Sequence, residues 1–142
     1  MSTSTETKDG ARKRLYAARV ALRWSDMDAN NHVNNAKLFT YFEQARIEWL
    51  ERQGLQNTAQ NEGPVVVKTT CEFLRPIPYP ETIEVQVYGG APGRTSFPTY
   101  YEIVSGTQAG LRYAVGEAIM VWTDRGGGTS RPVPQRLRDL LV

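Results

Sequence analysis

Residues 36–54, AKLFTYFEQARIEWLERQG, are the one run in this 142-residue chain that reads as a long helix, and strand-like segments lie on both sides of it. The run has no Pro, Asn34 or Asn35 can cap its first turn, and Gly54 suits the position just past its end. Its apolar residues (Ala36, Leu38, Phe39, Tyr41, Phe42, Ala45, Ile47, Trp49, Leu50) are too numerous for one narrow stripe. That predicts a helix covered on more than one side, as a sheet wrapped around it would do.

The sheet is legible in the flanking segments. Residues 15–24 alternate loosely, with Tyr16, Ala18, Val20 and Leu22 on one side. After the helix, residues 64–75, 82–88, 95–104 and 111–122 are rich in Val, Thr, Ile, Tyr and Phe. Pro76-Ile77-Pro78, residues 89–93 and Ser105-Gly106 punctuate them as turns. Pro132 and Pro134 precede a final helical turn, and residues 126–128, three glycines, read as a flexible turn. One strand, one long helix and four more strands give an α+β domain with a mainly antiparallel sheet. Periodicity does not supply the strand order.

A chain of this length, 40% apolar or aromatic, buries one core, so residues 15–142 are expected to form a single domain behind a flexible polar tail at 1–14. Seventeen cationic against fifteen acidic side chains leave a net charge of +2, too small to argue for nucleic acid. Cys71 is the only cysteine, so no internal disulfide forms and a reducing compartment fits. No run of about eighteen apolar residues occurs, so membrane insertion is not expected and the location is read as cytoplasmic. One His with two loop aspartates is a poor set for a transition metal, and the triple glycine lacks the Lys-Ser/Thr of a phosphate loop. No cofactor is implied.

The chemistry concentrates in residues 25–35, SDMDANNHVNN, which hold two carboxylates, four Asn and the only His. The segment leads into a helix N-terminus, where unpaired N–H groups and the positive end of the helix dipole receive developing negative charge. A carboxylate there can attack a carbonyl, or activate water to do so, while an amide holds the oxyanion. Asp and Asn are also ordinary turn and cap residues, and a loop His often only ties the loop together. Composition leaves both readings open.

Residues 23–50, RWSDMDANNHVNNAKLFTYFEQARIEWL, resemble the 4-hydroxybenzoyl-CoA thioesterase-like branch of the hotdog superfamily, whose members carry a D-x-D-x-x-x-H-V-N-N loop followed by Y-F-E-x-A-R. The resemblance continues more faintly through PGRTSF at 92–97 and the VWTD and SRPVP pieces between 121 and 134. It implies a hotdog fold, an antiparallel sheet wrapped around one long central helix, and assembly of such domains into homodimers or tetramers with an acyl pocket across the subunit interface. It implies hydrolysis of an acyl-CoA, or of the closely related acyl-carrier-protein thioester, without a cofactor. Asp28 falls on the catalytic carboxylate, as nucleophile or as general base, with Asp26 as the secondary acid. The oxyanion amide matches Asn35. The spacing Asp28, Asn30, His32, Val33-Asn34-Asn35 is similar to that of plant acyl-carrier-protein thioesterases, which carries an auxiliary role onto Asn30 and His32.

Arg94 and Ser96 match a region that meets CoA phosphates in related enzymes, and a guanidinium suits that partner; an exposed turn is the competing reading. Glu43 and Glu48 lie on the helix, where another hotdog lineage keeps a catalytic carboxylate, but Glu43 with Arg46 reads as an i, i+3 charge pair. Cys71 reads as a packed thiol. Hotdog enoyl-CoA hydratases or dehydratases, and non-catalytic acyl-binding modules, are the competing functions.

Overall fold

The computed structural model describes residues 12–142. Most of the expected polar tail lies outside them, and the first strand has begun by Lys13, two residues before the anticipated boundary. The elements are β1 (Lys13–Ala21), a 3-10 turn at Trp24–Asp26, α1 (Asn35–Arg52), β2 (Glu62–Phe73), β3 (Thr82–Gly89), β4 (Ser96–Ser105), β5 (Arg112–Asp124) and α2 (Gln135–Leu141). All five expected strands are present. β1 ends before Leu22 because the Leu22 N–H leaves the ladder for the Glu81 carbonyl, 3.0 Å away, and the chain then tightens into the 3-10 turn.

The strands form one antiparallel sheet in the order β1-β3-β4-β5-β2. Alternation decides which face meets the helix: Ile83, Val85 and Val87 on β3, Phe97, Tyr101 and Ile103 on β4, and Ala114, Ala118, Met120 and Trp122 on β5 are all buried. Phe42 of α1 stacks on Tyr101 with ring centroids 4.7 Å apart, and Gly116 makes the room, since a Cβ there would meet the Phe42 ring at 2.6 Å. Full burial of each such large apolar side chain contributes about 1.5–3 kcal/mol. α2 closes the core with Leu137 and Leu141, the latter against Gly89 and Leu15.

The expectation that α1 is covered on more than one side is corrected within the single chain. Leu38, Tyr41, Phe42, Ala45, Arg46, Trp49 and Leu50 are its buried residues, spaced three and four apart as one stripe. Ala36 is exposed, and Phe39 and Ile47 are only half-buried. A five-stranded sheet covers one side of a helix, and the side toward β2 stays open.

Candidate active site

Within residues 25–34, which read as a loop in the sequence, residues 27–33 form a tight hairpin. Met27 and Val33 pair as an antiparallel bridge, the Asp28 N–H donates to the His32 carbonyl at 2.8 Å, and the Asn31 N–H donates to the Asp28 carbonyl at 3.1 Å. The turn needs a left-handed residue and finds it in Asn31, at φ 60°, a conformation Asn tolerates better than most side chains. Two further ties bind the hairpin to the linker after β2: the Val33 N–H donates to the Ile77 carbonyl at 3.0 Å, and His32 bridges to Pro78.

These ties put Asp28, Asn30, His32 and Asn35 in the walls of one cleft of about 350 Å³. Val33, Leu38 and residues 73–77 supply the rest of the lining. Asp28 is exposed, and its Oδ1 accepts the main-chain N–H of Asn30 at 2.8 Å. Asn30 therefore orients the carboxylate through its backbone, and Oδ2 has no protein partner among the described residues. In the sequence the linker residues are punctuation only; the Pro76-Ile77-Pro78 signal marks a turn and says nothing of which loop it meets.

The start of α1 completes the arrangement. Asn34 caps the helix: its Oδ1 accepts the Ala36 N–H at 3.0 Å and its carbonyl the Lys37 N–H at 2.8 Å. Among the described residues, the Asn35 N–H at the first helical position is left without a protein acceptor. It sits at the positive end of the helix dipole, where an anionic oxygen is stabilised.

Asp26 faces the other way. It is 2% exposed and accepts the Tyr41 hydroxyl at 2.9 Å and the Arg23 N–H at 3.3 Å, with the Arg23 guanidinium at 3.3 Å and Lys37 Nζ at 3.8 Å. Burial by itself would raise its pKa; the Tyr41 hydrogen bond, the Arg23 amide and the two cations outweigh burial and hold the carboxyl below its ordinary range. The secondary acid implied by the family resemblance is here an anchor for the hairpin, lining a separate groove with Arg23, Lys37 and Tyr41.

Arg94 and Ser96 do not join the cleft. Arg94 is exposed in the turn before β4, where its carbonyl accepts the Val133 N–H at 2.9 Å; the Ser96 carbonyl accepts the Gly93 N–H at 2.8 Å. Ser96 pairs with Val121 and so lies level with Val65, whereas Phe73 at the cleft lies level with Ala114 and Ile103. At ~3.3 Å per residue the two levels are about 23 Å apart.

The Glu43–Arg46 pair is absent: Arg46 turns under the helix, its Nη1 donating to the Tyr101 hydroxyl at 3.1 Å, while Glu43 stays exposed. Glu48 accepts the Tyr16 hydroxyl at 2.8 Å, a structural tie to β1. Burial, with the Glu72 charge beside it, pushes the Cys71 thiol up to about 12, so it is a neutral packed group at pH 7. Among the described residues no three of His, Cys, Asp and Glu converge as a metal-holding set.

Residues 22–141 match the family model of the thioesterase-like superfamily. The chain belongs to the thioesterase-like superfamily. The resemblance read from residues 23–50 is borne out, and with it the hotdog fold and the placing of the chain among thioester hydrolases. PA2801 of Pseudomonas aeruginosa, a proposed thioesterase, is 32% identical, aligns over 92% of this chain and 100% of its own, and superposes with a TM-score of 0.85. A proposed acyl-CoA thioesterase of Xanthomonas campestris is 31% identical over 85% of this chain and 100% of its own, TM-score 0.74. A thioesterase of Thermus thermophilus, solved with coenzyme A and Zn, is 29% identical over 90% and 92% of the two chains, TM-score 0.76. Among curated proteins, YsmA of Bacillus subtilis, itself uncharacterised, is 29% identical over 83 residues, 58% of this chain; the match spans 56% of YsmA. This superfamily member thus keeps the fold of its relatives over most of its length, with the hairpin and helix N-terminus inside the matched span.

Proposed function

We propose that the chain hydrolyses the thioester of an acyl-CoA to a free acid and CoA, an acyl-carrier-protein thioester being the close variant. One observation carries the reading: a carboxylate oxygen and a helix N-terminal amide, each without a partner among the described residues, belong to residues that line the same cleft. A thioester carbonyl seated there accepts the Asn35 N–H, which strengthens as the oxygen becomes anionic. Asp28 attacks the carbonyl carbon to give an anhydride that water then opens, or takes the proton of a water that attacks directly; in both, the CoA thiolate leaves and is protonated. Asn30 fixes the carboxylate, and His32, on the same hairpin, orients the carboxylate or its water.

A CoA has to bring its phosphates to cations, and Arg94 with Ser96 stands too far along the sheet to serve its own chain's cleft. In this reading the chain works as a homodimer or tetramer, with Arg94 and Ser96 of one copy serving the other. Among the described residues no helix is long and apolar enough to cross a membrane, and the reading takes the cytoplasm, where acyl-CoA is available, as the place of action.

The test is a panel of acyl-CoAs (short, long and aryl) assayed separately for thiol release and for water addition to an enoyl-CoA. Thiol release with no hydration is expected. Hydration without thiol release would move the chain to the hydratases, and saturable binding with neither reaction would make it an acyl-binding module.

A further inference from the structure

Arg46 is a buried cation left unmatched among the described residues of its own chain. It is 8% exposed, its one hydrogen bond goes to the neutral Tyr101 hydroxyl, and among the described residues no carboxylate lies within ion-pair distance. A guanidinium has five N–H donors and stays charged, so it is costly out of water without an anion. Its side chain opens onto two cavities, about 240 and 300 Å³, between α1 and β2, both walled by Glu43 and Val66.

Asp28 is the opposite case, a cleft carboxylate with no cation within ion-pair distance among the described residues. The other charged or titratable groups around the two are His32 and Arg75, which line the Asp28 cleft, and Glu43 and the Tyr101 hydroxyl beside Arg46. Arg75 is exposed and so screened by water.

β2 connects the two unmatched charges. It is one of the two edges of the sheet, β1 being the other, and is twelve residues long, with Val65, Val66 and Val67 exposed at 43%, 41% and 60%. Antiparallel pairing of β2 with β2 of a second copy has its longest ladder when centred on the strand midpoint, between Val67 and Lys68. Glu62 then faces Phe73 of the second copy. Residues 64–66, where the Arg46 cavities open, then face residues 71–69 of the second copy, so that Pro64 lies two residues along the strand, about 7 Å, from the Phe73 at which that copy's cleft begins. A two-fold axis normal to the sheet keeps both helices and both clefts on one face.

We propose that Arg46 of one copy closes over the Asp28 cleft of a second copy and supplies its cation. Closing the cleft removes water from Asp28, which favours the protonated acid; a guanidinium beside it keeps the carboxylate ionised and presents planar donors that hold its orientation. Arg46 is thus a positioning residue that acts in trans. The inference rests on the reading of Asp28 as the working carboxylate in a homo-oligomer.

Dimers carrying two different tags separate the possibilities. Asp28→Asn homodimers are expected to lose thiol release, and Arg46→Gln homodimers to lose most of it, with the acid limb of kcat/KM raised by about one pH unit or more. Arg46→Lys, which keeps the cation, is expected to stay near the wild-type limb. A mixed dimer of one Asp28→Asn chain and one Arg46→Gln chain is expected to regain about half the wild-type activity with the wild-type limb, because one of its two sites then holds both groups. The limb of the Arg46→Gln homodimer in that mixed dimer, an unshifted limb in the homodimer, or a monomeric wild-type protein would each overturn the proposal. Activity surviving in Asp28→Asn homodimers would instead overturn the reading of Asp28. Proximity is checked without altering Arg46: in a Cys71→Ser background, chains carrying Asp28→Cys and Glu43→Cys are expected to join into covalent dimers with a short bis-maleimide, and cross-linking confined within chains would count against the trans arrangement.

Discussion

Asp26 and Asp28 are two residues apart and have opposite environments, one sealed under Tyr41 and the other open to the cleft. Composition makes the cluster legible in the sequence, but not this division, because it depends on Tyr41, fifteen residues further on in the buried stripe of α1. Arg46 misleads for a related reason: i, i+3 spacing makes Glu43 its neighbour, yet position 46 falls in the stripe with Phe42, Trp49 and Leu50, which points at the sheet. Tyr41→Phe is expected to destabilise the fold by about 1–2 kcal/mol near pH 7. Asp26 has a folded pKa below its unfolded value, so its contribution is full above the unfolded pKa, near ~3.9, and is lost as pH falls through the folded one. Urea titrations should therefore show the Tyr41→Phe penalty shrinking between about pH 7 and about pH 2. An equal penalty at both would mean that the Asp26 bond is not the source.

The elements follow from short-range signals. Runs of β-branched and aromatic residues broken by Pro and Gly mark five strands, and an Asn cap with a Pro-free run marks α1. Strand order is out of reach because it is set by which runs share the helix as a common core. The first-strand boundary is hidden because the Leu22 amide finds its partner at Glu81, on the far side of α1 and β2 in the sequence. Gly116 shows the same dependence: in the sequence it is a glycine in a strand, and in the fold it is where Phe42 enters the sheet. Gly116→Ala would press a methyl group onto the Phe42 ring and the Thr70 carbonyl, 2.8 Å away, with a loss of about 1–3 kcal/mol on denaturation. Asn34→Ala removes the cap on Ala36 and is expected to cost about 1 kcal/mol, with thermal melts as the check. Because the same change loosens the amide at Asn35, it should also lower kcat more than its stability cost explains.

At the scale of the molecule, a long apolar edge strand and a helix with one uncovered side call for the same remedy, a second chain. The wild-type protein is expected to sediment as a dimer or larger, and Val67→Lys, placing a charge at the middle of the edge, to shift it toward monomer while the far-ultraviolet dichroism stays unchanged. A dimer indifferent to that change would mean the copies meet elsewhere. The resemblance in residues 23–50 conveys the fold and the chemical class, while the substrate stays hidden, because in the proposed assembly a second copy closes the pocket, which leaves no pattern in one chain. The central claim is that the open carboxylate of the hairpin drives thioester hydrolysis, and the direct measurement is kcat/KM for thiol release from an acyl-CoA by wild type and by Asp28→Asn, with both shown folded and equally assembled. The account predicts a fall of about a thousandfold or more, carried by kcat. Rates within about twofold of each other would contradict it.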